Sequence, residues 1–245
     1  MDRAELYDMM AQRKSAPKDF GTYIGDNGRV NRCVQLMKQG KIRTGGWLLD
    51  VGGGIGDLGY AVKAEKLFEE AVVCDISSKN AEAARSKGVR TIVGDVDREG
   101  IRWDGNPWFD TVTALDFIEH IVDPENFARE CYRVLKPSGE VFINTPNIQF
   151  WRHIETLIGG SMPHTSGDRE VYHGGHLAFF TYTDLCEIFS KAGFSPVGQI
   201  RDDEGFQAPP QWIMEKVRPT NQMEYMMFCE RFGNPNLLFK AICTK

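Results

Sequence analysis

The chain has 245 residues, 42% hydrophobic, 26% charged and 11% aromatic, proportions that exclude disordered, collagen-like and coiled-coil chains and suit one large domain with its own core. Its 29 Lys and Arg against 34 Asp and Glu give a net charge of −5, which argues against a broad polyanion-binding surface, so no nucleic-acid partner is expected. No apolar run approaches the ~18 residues of a membrane span, so no membrane partner is expected. The start, Met1-Asp2-Arg3-Ala4-Glu5, lacks the apolar core of a signal peptide. The six cysteines (Cys33, Cys74, Cys131, Cys186, Cys229 and Cys243) show no CxxC pair, and most have apolar neighbours. Reduced thiols and a soluble, cytoplasmic protein are the expectation.

In chain order, Val30, Cys33, Val34 and Met37 recur at helical spacing, so residues 28–40 read as a helix ended by Gly40. Trp47–Val51 reads as a buried strand running into a glycine-rich turn. Helix-like Asp57–Glu69 follows, then a strand at Ala71–Asp75, a helix at Lys79–Lys87 stopped by Gly88, and strands at Thr91–Asp95 and Phe109–Asp116. Pro124–Leu135 opens with proline and an acidic first turn, as helices do. A fifth strand spans Val141–Thr145, a helix Thr183–Lys191, and two final strands Ser195–Ile200 and Leu237–Thr244. Strands alternating with helices require crossover connections and a mostly parallel sheet. The expected organisation is a single domain over 1–245, with 1–40 as an N-terminal helical lid and 147–180 and 203–235 as substrate-side insertions.

Open parallel sheets bind ligands beyond the carboxyl ends of their strands. Four strands here end in a carboxylate: Asp50, Asp75, Asp95 and Asp116. Any one of them is explained by helix capping or turn formation, but the series marks one rim of the sheet. The loop Asp50-Val51-Gly52-Gly53-Gly54-Ile55-Gly56-Asp57-Leu58-Gly59 carries two overlapping fingerprints. Gly54-x-Gly56-x-x-Gly59 fits the dinucleotide pattern, which would imply a nicotinamide-dependent oxidoreductase. Asp50-x-Gly52-x-Gly54-x-Gly56 fits the pattern that binds S-adenosylmethionine. Charge separates them. A pyrophosphate against this turn would meet the carboxylate of Asp50, whereas a sulfonium and an ammonium are attracted by it. Asp75 suits ribose hydroxyls, Asp95 an adenine amino group, and Ile76 and Val96 the faces of the adenine ring.

From about Leu48 to about Phe194 the chain resembles class I S-adenosylmethionine-dependent methyltransferases of the small-molecule type. The resemblance rests on LLDVGGGIG, VVCDIS, VGDV, FDTVTALDFIEHIVDPENFARECYRVLKPSGEVFINTPN and HLAFFTYTDLCEIFSKAGF, in that order. It implies an α/β fold: a Rossmann-like, seven-stranded, mostly parallel sheet with helices on both faces and an antiparallel last strand, here Leu237–Thr244. It implies S-adenosylmethionine as cofactor and S-adenosylhomocysteine as product. It places Asp50, Gly52, Gly54 and Gly56 at the methionine moiety, Asp75 at the ribose, Asp95 at the adenine and Asp116 on the cofactor side of the fourth strand. Gly53 and Ile55 depart from the commoner Cys and Thr of the loop.

All five histidines lie between residues 120 and 176. Methyl transfer to a hydroxyl calls for a base near neutral pH, and His120, His173 and His176 are the candidates. Packing or anchoring is the plainer role for His120 and His176. His173-x-x-His176 offers half of a metal-ligand set, but spacing supplies no third ligand, and no metal site is assigned. Trp151 and Tyr172 suit stacking on an acceptor, and Arg152 and Arg169 suit an acidic group on it. Phe150 fits stacking or the core equally. The expected reaction is O-methylation of a carbohydrate or natural product, with N-methylation of an amine or amino sugar as the alternative. The oligomeric state is left open.

Overall fold

A computed structural model of the chain describes residues 4–5, 8–9, 28–104, 108–163, 175–201 and 205–245. The apolar run at Trp47–Val51 forms β1, hydrogen-bonded in parallel to β2 (Glu70–Asp75) on one side and β4 (Phe109–Leu115) on the other. A strand paired on both edges and covered on both faces has no solvent side, which is why its sequence does not alternate. β3 (Arg90–Val93), β5 (Leu135–Pro146), β6 (Phe194–Gln199) and β7 (Asn236–Cys243) complete a seven-stranded sheet of order β3-β2-β1-β4-β5-β7-β6. β7 runs antiparallel to both its neighbours, β5 and β6. The expected sheet, antiparallel last strand included, is present.

Helices cover both faces, and the period-2 alternation of the strands sorts the core between them. On one face Leu49, Val51, Val72, Val112, Val141 and Ile143 pack against α5 (Pro124–Val134) and α7 (Tyr182–Lys191) through the fully buried Phe127 and Phe189. On the other, Leu48, Ala71, Phe142 and Leu238 meet α1 (Gly28–Lys38) and α2 (Asp57–Ala64). α3 (Ser78–Ser86) covers Val73 with Ala84. The helix starts are chemically specified. Ser77 accepts from the Asn80 N–H, Asp123 from the Asn126 N–H with Pro124 behind it, and Thr181 and Asp184 form a capping box.

Several boundaries differ from expectation. α2 stops at Ala64 rather than Glu69, because Lys66 turns to a φ of 55°. β5 starts at Leu135 rather than Val141, its early part bonded to β4 through an irregularity between Phe109 and Thr111. β3 ends at Val93, freeing Asp95 to cap a short α4 (Val96–Glu99) that the pattern did not foretell. The reading also missed α6 (Trp151–Ile158), and α8 (Gln211–Val217) and α9 (Gln222–Gly233), both within 203–235. All six cysteines are free thiols, four of them buried, and burial pushes the Cys74 thiol up to about 12. Among the described residues no helix is long and apolar enough to cross a membrane.

Candidate active site

The strand order reverses between β1 and β4. At such a point the connections leaving adjacent parallel strands diverge, and a crevice opens beyond their carboxyl ends. The glycine loop leaves β1 there, and a short 3-10 turn, Ile118–His120, follows β4.

Two glycines of the loop do different work. Gly52 has a φ of 69°, and a Cβ on it would lie 2.4 Å from the Phe117 ring, so packing alone demands glycine. Gly54 has a φ of 55°, and a Cβ there would meet nothing within 4 Å. Its face of the loop is open to a guest that approaches the backbone closely. Gly56 starts α2, pressed against Ala84 of α3.

Asp50 lies beneath this loop at 3% exposure. Thr113 Oγ1 donates to its Oδ1 at 2.8 Å, and its Oδ2 fills the space where a side chain on Gly53 would go. Burial pushes its carboxyl up to about 7, opposed by the Thr113 hydrogen bond and reinforced by Asp75 and Asp57. Asp75, at the end of β2, accepts from the Gly54 N–H (2.9 Å) on Oδ2, and from the Ser77 N–H (2.9 Å) and Asn80 Nδ2 (3.2 Å) on Oδ1. Burial raises its pKa, although these donors pull the other way. Each oxygen has two lone pairs, so Oδ2 keeps acceptor capacity for a ribose hydroxyl. Ser77 and Ser78 also donate to Asp8, which brings residue 8 of the N-terminal segment to the same corner.

Asp95 accepts from the Asp97 N–H at 3.0 Å, so capping is one of its duties. Ile76 is half-buried after β2, while Val96 is 5% exposed and belongs to the main core. Asp116 sits at a φ of 50°, a conformation aspartate tolerates, and accepts from both Asn144 Nδ2 and Arg29. These placements put Asp50, Gly52, Gly54, Gly56, Asp75 and Asp116 on one rim.

Beside that rim lies a cluster that the sequence suggested only in part. Glu119, 1% exposed, points inward from the 3-10 turn. Thr145 Oγ1 donates to its Oε2 at 2.9 Å, and its Oε1 is buried without a hydrogen-bond partner. His176 Nε2 lies 4.0 Å from that Oε1, and the His176 and His120 rings stand edge to face at 4.8 Å. His120 Nδ1 is 3.2 Å from the Gly175 carbonyl oxygen. The Leu177 and Ala178 N–H groups donate to the Glu119 carbonyl oxygen, pinning the segment that carries His176. Burial pushes the Glu119 carboxyl up to about 8, with Asp116 adding to the effect and Thr145 and Arg29 opposing it. Sequence reasoning noted Glu119 only as the neighbour of His120 after the fourth strand and gave it no role of its own. Its signal was a lone carboxylate set behind Phe117-Ile118 at the end of a buried strand.

The remaining candidates divide. Trp151 and Arg152 start α6, with the guanidinium stacked 4.5 Å from the indole and its Nε donating to Gln207 Oε1 at 2.6 Å. Phe150 is 5% exposed and packs edge-on with His153, which is itself bonded through Nδ1 to the Asn147 carbonyl. Burial lowers the pKa of His153. His173, Arg169 and Tyr172 lie outside the described residues, as do Tyr7, Phe20 and Tyr23 of the expected lid.

Comparison with known proteins agrees with this geometry. A family profile described as "Methyltransferase domain" matches residues 28–199. Ubiquinone biosynthesis O-methyltransferase of Pseudomonas putida is 31% identical over 118 residues, 46% of this chain and 49% of that protein. The mitochondrial enzyme of that name from Bos taurus is 32% identical over 132 residues, 51% of this chain and 35% of its own. The matched region thus spans about half or less of these relatives' lengths. Among solved structures, a methyltransferase in complex with the Trm112 activator of Haloferax volcanii superposes with a TM-score of 0.64 at 17% identity, covering 100% of this chain and 98% of that one. Phosphoethanolamine N-methyltransferase 2 of Haemonchus contortus, solved with S-adenosyl-L-methionine, gives 0.62 at 19%, covering 100% and 59%. These two show the shared fold. By its glycine loop, its strand order and the family match, the chain belongs to the class I methyltransferases, whose methyl donor is S-adenosylmethionine.

Proposed function

We propose that the chain methylates a hydroxyl of a small-molecule acceptor, and that the acceptor oxygen loses its proton at the cluster of Glu119, His120 and His176. The observation that carries this reading is the buried, unpartnered Oε1 of Glu119 lying 4.0 Å from His176 Nε2, next to the carboxyl end of β4. Once ionised, the Glu119 carboxyl behind the imidazole fixes the ring and stabilises its protonated form, and a proton arriving on the ring in turn favours that ionisation, which suits a base acting on a hydroxyl.

On this reading Gly54, Asp75 and Asp50 hold the donor. Gly54 admits it to the backbone, Asp75 accepts from the ribose, and the charge of Asp50 under the loop favours the cationic end. S-adenosylmethionine supplies an electrophilic methyl group. The acceptor oxygen forms the new O–CH3 bond with its lone pair as the S–CH3 bond breaks, the sulfur keeps that electron pair as a neutral thioether, and the proton goes to the imidazole. Trp151 and Arg152, linked to Gln207 of the later insertion, form a wall against which an aromatic or sugar acceptor with an acidic group would stack. The relatives named as ubiquinone biosynthesis O-methyltransferases favour oxygen over nitrogen as the acceptor.

The test is a panel of phenols, catechols, sugars and amines incubated with S-adenosylmethionine, with S-adenosylhomocysteine as readout. Turnover confined to hydroxyl acceptors, with a rate that rises with pH through one ionisation, is expected. Turnover confined to amines would replace the reading with N-methylation.

A further inference from the structure

We propose that a cavity on the outer edge of β3 is a regulatory binding site for a small aromatic carboxylate, distinct from the crevice proposed for donor and acceptor. The cavity measures about 560 Å³, a size that suits a small ligand, and opens to solvent. β3 is the edge strand of the sheet and, among the described residues, pairs only with β2, so no further strand closes this side. Val72, Val89, Ile92 and Trp103 give the cavity apolar walls, and the exposed Arg85 and Arg90 supply its charge.

Shape and charge choose the guest. The Trp103 ring packs against those of Trp47, Trp108 and Phe109 at centroid distances of 6.3, 6.4 and 4.9 Å, and Arg133 Nη1 donates to the Trp103 carbonyl oxygen at 3.0 Å. An indole held in this way offers a flat guest a stacking surface with little further loss of side-chain freedom. Arg90 is engaged in part, its Nε donating to Glu70 Oε2 at 3.1 Å and its guanidinium carbon lying 5.0 Å from the Trp47 ring centroid. Among the described residues the Arg85 side chain has no hydrogen bond or ion pair, so its planar fork is available to a carboxylate. α3 ends at Ser86 and turns its negative pole to this side, which disfavours a doubly charged phosphate and limits the guest to one charge.

The far side of one wall is the glycine loop. A Cβ on Gly59 would lie 2.8 Å from Val89 Cγ1, and one on Gly56 would lie 3.7 Å from Val89 Cβ, so Val89 presses on the backbone where the loop enters α2. α3 joins the same two places. The Ser77 N–H and Asn80 Nδ2 at its start bond to Asp75, and Arg85 in its last turn lines the cavity. A guest packed against Val89 holds that contact and stiffens the loop, so its binding tightens that of the cofactor. This coupling rests on the reading that seats the donor at the glycine loop.

The probe is 2-naphthoate, titrated into the full chain labelled with 15N-tryptophan, with neutral 2-naphthamide as its control. The chain has five tryptophans, and Trp103→Phe identifies the indole signal of Trp103. 2-Naphthoate should shift that signal saturably and more than the others. 2-Naphthamide should bind at least ~threefold more weakly, and Arg85→Gln should weaken 2-naphthoate by a similar factor with its thermal midpoint unchanged. Calorimetry should find S-adenosylhomocysteine bound about fivefold more tightly under saturating 2-naphthoate, and 2-naphthoate bound more tightly by the same factor under saturating S-adenosylhomocysteine. The largest shift at Trp151, which would place the probe in the acceptor crevice, or binding indifferent to Arg85→Gln, overturns the site. Unaltered S-adenosylhomocysteine affinity overturns its regulatory role. The donor reading fails separately, without any probe, if Gly54→Ala and Asp75→Ala bind S-adenosylhomocysteine as the wild type does.

Discussion

The backbone N–H of Gly54 donates to Asp75 Oδ2 at 2.9 Å, so the loop after β1 and the carboxylate after β2 are one unit. The residue that would bind ribose also holds the shape of the loop that would receive the methionine moiety. Asp75→Ala removes both functions. Affinity for S-adenosylhomocysteine should fall by ~1–3 kcal/mol, the scale of hydrogen bonds to a charged group. Calorimetric titration measures it, and unchanged affinity would remove Asp75 from the ribose site.

Gly52 and Gly54 separate folding from binding. Gly52→Ala drives a methyl group into the Phe117 ring at a positive φ, so the thermal midpoint should drop sharply. Gly54→Ala meets open space and costs only the left-handed conformation, ~1–2 kcal/mol. It should melt only a few degrees below wild type and yet bind S-adenosylmethionine at least tenfold more weakly. Parallel thermal melts and binding isotherms distinguish the two. Normal cofactor affinity in Gly54→Ala would mean that the open face of the loop is not where the donor lies.

Asp50 gives a pH dependence of definite sign. Its carboxyl titrates near 7 in the free protein, and a cation above the loop favours the ionised form. Binding therefore expels a proton at acidic pH. Affinity for S-adenosylmethionine should fall by up to about tenfold per pH unit below ~7 and level off above it. The same shift acts oppositely on folding. The folded value lies above the unfolded ~3.9, so the stability contributed by this group declines as pH rises from ~4 towards ~7. Thr113→Val, which removes the donor to the ionised carboxylate, should move the binding midpoint upward. Calorimetry in buffers of different ionisation heat reads the proton directly; no proton release near pH 6 would contradict the role of Asp50.

Asn147 ties the segment that follows β5 to the one that precedes β7. Its Nδ2 donates to the Arg231 and Asn234 carbonyl oxygens, both at 2.7 Å, and its Oδ1 accepts from the Gln149 N–H. Asn147→Ala leaves buried carbonyls unpaired and should cost ~1–3 kcal/mol in urea unfolding. It should also raise KM for the acceptor while leaving S-adenosylhomocysteine affinity unchanged, because the residues proposed to hold the cofactor lie at the ends of β1, β2, β3 and β4. An unchanged KM would detach these segments from the acceptor site.

The sheet was legible because its signals are local. An apolar run ending in Asp50 and three glycines, and carboxylates closing successive strands, mark the rim without any long-range knowledge. Two short helices escaped the reading for different reasons. Val96–Glu99 follows from Asp95 turning to cap it, whereas Trp151–Ile158 carries Trp151, Ile154, Leu157 and Ile158 at helical spacing and was simply not read from that pattern. Glu119 was hidden for another reason. Its significance lies in His176, delivered from the far side of the insertion and fixed by Leu177 and Ala178 bonding to the Glu119 backbone. Spacing in a sequence cannot show a cluster assembled by such a crossing.

The most direct test of methyl transfer at this rim uses S-adenosylmethionine labelled with deuterium in its methyl group, an acceptor identified from the panel, and the double variant His120→Ala/His176→Ala. Mass spectrometry should find the label on a hydroxyl oxygen with the wild-type chain, and turnover at least ~100-fold slower in the double variant, within the usual range for loss of acid–base catalysis, while its S-adenosylhomocysteine affinity is unchanged. Label on nitrogen, or undiminished turnover by the double variant, would contradict it.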